Sequence, residues 1–323
     1  MKDTISIAYA PDDNYADQAA VSAVSALANC RENPVEIVIL HSGLSAANIA
    51  KFEKIRDAFK CGLRLVKVEA EEFKGLPMSR WVTVQAWFRI KLPQLCPDLN
   101  KVLYLDCDTI VAADLAPLWD TNLDGKYLAA VRDVWDVEKH LERLAMKSAS
   151  YFNSGVMLIN CKLWREENVS EKIKEFAVKN FRKIKYCDQD TLNKIADEKK
   201  IDLPQKYNYM QTWWRNFYHE YEGEDELNYI AAEKAPVVVH YTGPKPSSKG
   251  CGHSMAGLWW KYARMSGFYP ELLEKFEKST AATPRKKCGN FLKKIFSSEN
   301  EFGVKSKVKV VTVFGMKFRF TKR

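Results

Sequence analysis

The sequence predicts an α/β fold in which a central parallel sheet carries helices on both faces. Two observations predict it. Short apolar runs alternate with helical patterns from the start of the chain, as strands joined by crossover helices do. With 323 residues, 46% hydrophobic and 28% charged, the chain can also bury a full core without disulfide staples, as one large α/β domain or two smaller ones.

The elements follow in order. Ile5 to Ala10, Val35 to Leu40 and Leu63 to Val68 read as strands, with helices over Ala16 to Asn29 and Ala46 to Phe59 between them. Lys101 to Leu105 is a fourth strand, ending at Asp106. Tyr127 to Val131 and Val156 to Ile159 read as two more. Trp164 to Ala196 is helix-rich, Pro236 to Val239 is a last short buried strand, and Ser254 to Met265 is a last helix of the body. Beyond Pro284, Cys288, Phe291, Leu292, Ile295 and Phe296 recur at i, i+3, i+4, i+7 and i+8, one face of a short helix flanked by Arg285, Lys286, Lys287, Lys293 and Lys294. After Gly303 the period becomes two. Val308, Val310 and Thr312 alternate with Lys307, Lys309 and Val311, and Phe314-Gly315 can turn the chain into a second strand carrying Phe318 and Phe320.

Charge divides the chain the same way. The net charge of +9 suggests nucleic acid until it is located. Residues 281–323 hold 12 Lys and Arg against two Glu, a net of +10, so the first 280 residues sum to −1. A basic extension on a near-neutral body argues against a nucleic-acid-binding body. The expected division is a catalytic body over 1–280 and a basic amphipathic extension over 281–323. The eight cysteines show no C-x-x-C spacing, which argues against a zinc knuckle or redox motif and for reduced thiols. No apolar run reaches the roughly 18 residues of a membrane span. Thr4 to Ala10 enters a strand without a charged leader, so a cytoplasmic location is expected.

Four segments carry chemistry. In KVLYLDCDT, Lys101 to Thr109, an apolar strand delivers Asp106 and Asp108, with Cys107 between them, to its carboxyl end. Ligands bind at that end of open α/β sheets, and carboxylates at i and i+2 of an extended chain point the same way. Two hard oxygens on one side can hold a divalent cation for a diphosphate; a solvated loop with two acids is the alternative. In VVVHYTGPKP, Val237 to Pro246, a second strand ends in His240. Imidazole beside carboxylates favours Mn2+ over Mg2+ or Ca2+, although a lone histidine after a strand is more often structural. Gly243 permits close backbone approach and Lys245 offers a charge to phosphate. In AYAPDDNYA, Ala8 to Ala16, the first strand breaks into a polar turn of the kind that meets a nucleotide. There is no G-x-G-x-x-G, and Asp12 to Asn14 could equally be a turn and helix cap. The fourth is YFNSGVMLIN, Tyr151 to Asn160, with CDQDTLN, Cys187 to Asn193. There Asn153 and Gly155 could form a turn and Asp188, Gln189 and Asp190 a cap.

Together these segments, in this order and at similar separations, resemble the family 8 glycosyltransferases over about residues 3–270. That family includes bacterial lipopolysaccharide glucosyl- and galactosyltransferases and, more distantly, glycogenin. The resemblance implies a GT-A fold, with a Rossmann-like mixed central sheet flanked by helices; the small basic C-terminal extension read from charge lies beyond it. It also implies a UDP-sugar donor, Mn2+ with Mg2+ as the alternative ion, and retention of anomeric configuration. By position, Asp106, Asp108 and His240 resemble the metal ligands, and Ala10, Asp12, Asn14 and Tyr15 the uridine and ribose contacts. Arg89, in WFRIKL, matches a basic residue near the donor sugar and diphosphate. Asp133, Asn153, Asp188 and Gln189 match the donor-sugar and catalytic pocket, and Gly243 and Lys245 the diphosphate clamp. One departure stands out: the family closes its last motif with K-P-W, whereas Ser247 follows Lys245-Pro246 here.

The expected reaction moves glucose or galactose from a UDP-sugar to a saccharide acceptor, expected to be lipid-linked, in lipopolysaccharide or other surface-glycan synthesis. Gln189 stands at the nucleophile position, but an amide is a poor nucleophile, which favours attack from the leaving-group face over double displacement. Two rivals are a metal-dependent nucleotidyltransferase or nucleotide-sugar hydrolase, and a non-catalytic membrane-associated glycan-binding protein. The basic extension suits an anionic membrane surface, which would make the enzyme peripheral on the inner face. It could instead pack on the body, with Val308 to Val313 covering a sheet edge. Trp213 and Trp214 are candidates for stacking on the acceptor. Trp259 and Trp260, in an amphipathic helix, are expected to be packing.

Overall fold

The computed structural model describes residues 2–78, 83–135, 137–211, 224–281, 296–300, 308–313 and 316–321. The chain divides into two compact units, 1–273 and 274–323. The first carries β1 (Ile5–Tyr9), β2 (Val35–His41), β3 (Gly62–Lys67), β4 (Lys101–Leu105), β5 (Thr109–Val111), β6 (Leu128–Arg132), β7 (Phe152–Asn160), β8 (Lys200–Leu203), β9 (Tyr209–Met210) and β10 (Val238–His240). Its longer helices are α1 (Ala16–Asn29) and α2 (Ala46–Phe59). Three single turns follow, α3 (Gln85–Phe88), α4 (Leu92–Leu95) and α5 (Ala116–Trp119). Then come α6 (Val137–Leu144), α7 (Cys161–Glu166), α8 (Val169–Lys179), α9 (Cys187–Ile195), α10 (Glu224–Lys234) and α11 (Ala256–Met265). The division between units falls within α12 (Tyr269–Ala281), ahead of the break after residue 280 that charge suggests.

Seven strands form one sheet in the order β3-β2-β1-β4-β7-β6-β8. β1 pairs in parallel with β2 and β4, β2 with β3, and β6 with β8, while β7 runs antiparallel to both β4 and β6. The sheet is therefore mixed, as the family resemblance implies, and not the all-parallel sheet that strand-helix alternation alone suggests. β1 shows why its sequence is apolar apart from Ser6. All five residues are buried, with Ile5, Ile7 and Tyr9 in one core layer and Ala8 in the other. A strand covered on both faces has no polar side to alternate with. α1 lies close against this core because its buried face is small: Ala16, Ala19, Ala20, Ala23 and Ala26 are all fully buried. α2 begins where Ser45 Oγ accepts from the Asn48 N–H at 3.4 Å and ends at Lys60, which is left-handed with φ 52°.

From β1 the chain builds outward to β3, then returns to add β4 on the other side of β1. This reversal opens a crevice at the carboxyl ends of β1 and β4, where such sheets take ligands. A second sheet, β5-β10-β9, closes that end. β10 runs antiparallel to β5, pairing His240 with Thr109, and parallel to β9, pairing His240 with Met210. β5 and β9, three and two residues long, show no period and were not expected; β10, as short as β5, is marked only by the apolar run before His240. β7 starts at Phe152, so Asn153 and Gly155 lie in a strand and not in the turn their composition allows.

In the second unit, β11 (Phe296–Asn300), β12 (Val308–Val313) and β13 (Met316–Thr321) form an antiparallel sheet of their own, with Val311 opposite Phe318 in the β12–β13 hairpin. The hairpin is the one the period-two pattern predicts. The helix expected to end at Phe296 falls on 284–295, outside the described residues, and Phe296 itself opens β11. Trp213 and Trp214 also lie outside the described residues. Trp259 is fully buried and Trp260 packs against the same core, as expected for packing residues. The cysteines described are all free thiols.

Candidate active site and metal centre

The turn after β1 is built by one carboxylate. Asp12 Oδ1 accepts the Asn14 and Tyr15 N–H groups, each at 2.9 Å, and so bends the chain into α1. The turn expected at Asp12 is thus present, but the helix cap is not: α1 starts after Tyr15 without a side-chain cap, and Asp12 lies beside the crevice. Asp13 faces the other way, accepting from the Ser45 N–H at 2.9 Å and from Asn48 Nδ2 at 2.7 Å. Asn14 is exposed and Tyr15 is 41% exposed.

At the end of β4 the chain turns through Asp106, Cys107 and Asp108 into β5. The turn is pinned from two sides: the Asp106 N–H donates to the Gly155 carbonyl at 2.7 Å and the Tyr241 N–H to the Asp108 carbonyl at 2.9 Å. One ligand-type atom from each of Asp106, Asp108 and His240 falls within 4.8 Å of the others. His240 Nε2 stands 3.3 Å from Asp108 Oδ1 and 3.8 Å from Asp106 Oδ2. His240 Nδ1 meets Asn208 Oδ1 at 3.0 Å. Two carboxylates and one imidazole at this spacing fit a divalent cation with borderline preference, Mn2+ among them. Gly155 makes the cluster sterically possible: a Cβ there would lie 2.3 Å from His240 Cε1 and 2.8 Å from Asp106 Oδ2.

Two cations face these acids. Lys245 Nζ donates to Asp108 Oδ2, and to the Tyr241 carbonyl at 2.9 Å. Burial would raise the Asp108 carboxyl, but Lys245 and His240 outweigh it and hold that carboxyl well below the usual range. Arg89, 4% exposed, donates to Asp106 Oδ1 at 2.8 Å and to the Ser154 carbonyl at 2.6 Å, and lies 3.3 Å from Asp188 Oδ2. It also stacks over the Tyr104 ring at 4.2 Å. Burial raises Asp188 to about 6 against the pull of Arg89. Burial also pushes the Cys107 thiol up, so it is held neutral between the two acids.

Gln189 is locked at both ends of its amide. Oε1 accepts from the Ser154 N–H at 3.0 Å, and Nε2 donates to Asp133 Oδ2 at 2.9 Å. Asn153 Nδ2 reaches the same Asp133 oxygen at 3.3 Å. Ala10, Asp12, Tyr15, Arg89, Asp106, Cys107, Asp108, Asp188, Gln189 and Lys245 all line one cavity of about 420 Å3, a volume typical of small-molecule sites. Asn14, Asp133, Asn153, His240 and Gly243 are not in its wall. Asp133, Asn153 and His240 stand behind it through the bonds just described. Gly243, with φ +89°, shapes the loop that carries Lys245. Where the family pattern has Trp, Ser247 Oγ instead accepts from Gln18 Nε2 and ties this loop to α1.

Sequence reasoning missed several supports. Thr83, Gln85, Ala86, Lys185 and Tyr186 also line the cavity, whose wall Tyr104 and Ser154 complete. Asp190, fully buried, accepts from Nη1 and Nη2 of Arg143 at 2.8 Å each, from the Tyr151 hydroxyl at 2.7 Å and from the Lys185 and Tyr186 N–H groups. It therefore holds the Lys185–Tyr186 wall and the start of α9, and it does not face the cavity.

The comparisons with known proteins agree with this geometry. Residues 6–246 match the profile of glycosyl transferase family 8. Lipopolysaccharide 1,2-glucosyltransferase of Escherichia coli is 30% identical over 75% of this chain and 72% of its own length. Lipopolysaccharide 1,3-galactosyltransferase of Salmonella typhimurium is 28% identical over 75% and 72% respectively. The crystal structure of the galactosyltransferase LgtC in complex with donor and acceptor sugar analogues superposes with a TM-score of 0.72 at 29% identity, over 88% of this chain and 99% of that one. An active-site mutant of LgtC gives 0.73 at 31% identity, over 81% and 96%. The fold is that of the GT-A enzymes, and the chain belongs to glycosyl transferase family 8.

Proposed function

We propose that this glycosyltransferase moves a glucosyl or galactosyl group from a UDP-sugar to a saccharide acceptor with retention of configuration, assisted by Mn2+ or, as the alternative, Mg2+. The observation that carries the reading is the convergence of Asp106, Asp108 and His240 beside the cavity that Lys245 and Arg89 also face. A divalent cation held by those three side chains supplies Lewis-acid stabilisation to the departing diphosphate. Lys245 adds a buried positive charge to the same leaving group, and Arg89 holds Asp106 in place from behind. Asp12 and Tyr15, at the mouth formed after β1, suit the uridine and ribose. Relatives named as lipopolysaccharide glucosyl- and galactosyltransferases support a hexose donor and a role in surface-glycan synthesis.

Gln189 suits a role at the sugar and not at the nucleotide. Its amide nitrogen is engaged by Asp133 and its oxygen by Ser154, which favours same-face attack over a covalent intermediate on this side chain. Gln189→Ala is expected to lower kcat roughly hundredfold, the scale of misplacing a reacting group, with UDP affinity nearly unchanged. A loss of UDP affinity at constant kcat would contradict this placement. A screen of UDP-sugars with Mn2+, reading UDP release with and without saccharide acceptors, tests the reading as a whole. Release that no acceptor stimulates would favour a nucleotide-sugar hydrolase.

The acceptor we propose is lipid-linked, reached from the inner face of the membrane. Among the described residues no helix is long and apolar enough to cross a membrane. The net +10 of residues 281–323 instead suits reversible attachment to an anionic surface, each Lys or Arg there contributing roughly 1 kcal/mol, weakened by salt. The full chain should co-sediment with anionic vesicles and not with neutral ones, and a chain ending at Thr283 should lose that binding while keeping transfer to a small soluble acceptor. Binding that survives the truncation, or ignores salt, would show that the extension is not the anchor.

A further inference from the structure

The cavity is backed by a chain of side-chain amides whose polarity can be worked out from the backbone. Asn153 Oδ1 accepts the Gly155 N–H at 3.0 Å, and a main-chain N–H can only donate. The Asn153 oxygen is therefore fixed at that end. The Asn208 atom 3.0 Å from the same oxygen must then be its Nδ2, a donor. That leaves Asn208 Oδ1 facing His240 Nδ1 at 3.0 Å, so Nδ1 is the nitrogen that carries a proton. Nε2, pointing at Asp106 and Asp108, keeps its lone pair when the ring is neutral. The other end is fixed in the same way. The Ser154 N–H sets Gln189 Oε1, Gln189 Nε2 and Asn153 Nδ2 both donate to Asp133 Oδ2, and Asp133 Oδ1 accepts the Val134 and Trp135 N–H groups at 2.6 and 3.1 Å.

We infer that Asn208 is a positioning residue for His240: it selects the imidazole tautomer that can ligate a cation through Nε2, and it joins that ligand to Gln189 through Asn153 and Asp133. Asn208 is fully buried. It stands two residues before Met210, the cross-strand neighbour of His240, so the β9–β10 pairing holds the two side chains together. Partners that orient a metal-ligating histidine through its second nitrogen commonly set cation affinity. A buried asparagine that both accepts from the imidazole and donates to the next amide makes the hydrogen-bond path from His240 to Gln189 continuous. The inference rests on the metal reading of Asp106, Asp108 and His240.

Two substitutions separate the two halves of the bridge. Asn208→Leu removes the acceptor and the donor while keeping the branched four-atom side-chain skeleton. Asn208→Asp keeps an acceptor toward Nδ1 but turns a second acceptor toward Asn153. Titration of the folded proteins with Mn2+ alone, followed by the electron paramagnetic resonance of the free ion, should show affinity falling about 10–100-fold in Asn208→Leu and staying within a few fold of wild type in Asn208→Asp. At saturating Mn2+, Asn208→Asp should still lose roughly tenfold in kcat, the worth of one buried hydrogen bond. Wild-type affinity in Asn208→Leu, or equal losses in both variants, would overturn the inference. Absence of Mn2+ binding by the wild type would overturn the metal reading with it. If Asn208→Leu fails to fold, nitrogen-15 histidine spectra of the Zn2+-saturated wild type decide: a proton on His240 Nδ1 supports the inference, and one on Nε2 rejects it.

Discussion

Asp106→Asn, Asp108→Asn and His240→Ala should each lower transfer about a thousandfold or more while leaving the protein folded. Each removes one of the three donor atoms that converge within 4.8 Å, and the Lewis-acid stabilisation they support is worth several kcal/mol at the leaving group. The choice of Asn at position 106 matters. Arg89 is 4% exposed and has only Asp106 and Asp188 as carboxylate neighbours among its described contacts. Asp106→Ala would leave that buried guanidinium with one carboxylate partner, and breaking such a pair commonly costs about 3–5 kcal/mol. Asn retains a carbonyl oxygen for Arg89 and confines the loss to the cation. Asp108→Asn is simpler, because Lys245 also holds the Tyr241 carbonyl. UDP release measured with added Mn2+, beside a thermal melt of each variant, reads both quantities. Full activity in any of the three, or wild-type turnover that ignores EDTA, would reject the assignment.

Much of this site was legible because strands write their own ends. β1 and β4 are buried on both faces, so their sequences are apolar apart from Ser6 and Lys101, and the first polar residues after them, Asp12 and Asp106, had to lie at the sheet's carboxyl edge. The reversal of strand order between β1 and β4 then brings those two segments together. β10 announced itself in the same way and delivered His240. The supports were not legible, because each depends on a contact across the fold. Asn208 and His240 are separated by 32 residues and Arg143 and Asp190 by 47, and no local pattern marks either pair. β8, Lys200–Leu203, is a partly exposed edge strand of mixed polarity and gave no period. Asp190 read as one acid of a helix cap; its burial under Arg143 and Tyr151 follows only from where α6 and β7 pass. Gly155 illustrates the same limit. Beside Asn153 it looked like a turn residue, yet it lies within β7 and its backbone is not left-handed.

What Gly155 does is sterically decisive, and Gly155→Ala should lower transfer at least about a hundredfold by displacing the metal ligands beside it. An alanine Cβ would stand 2.3 Å from His240 Cε1, 2.9 Å from His240 Nδ1 and 2.8 Å from Asp106 Oδ2. None of these atoms can give way freely. The imidazole is held by Asn208 at Nδ1, and Asp106 is held by Arg89 and by its own N–H on the Gly155 carbonyl. β7 cannot retreat either, since Val156 to Asn160 pair with β4 across the sheet. The least costly relief is to rotate His240 away, which carries Nε2 off Asp108 and breaks the bond to Asn208 together. Overpacking of this kind typically costs about 1–3 kcal/mol, which a fold of this size can absorb. A displacement of about 1 Å in a reacting constellation costs on the order of a hundredfold in rate, and here the cation affinity falls as well. The expected result is a folded protein with weakened Mn2+ binding and at least a hundredfold loss of UDP release. Gly257→Ala is the control: a Cβ there meets nothing within 4 Å, and the residue lies in the first turn of α11, so that variant should match wild type in both activity and stability. Wild-type turnover in Gly155→Ala would mean that the imidazole has room to move and that the close packing of Gly155, His240 and Asp106 does not set the cation site.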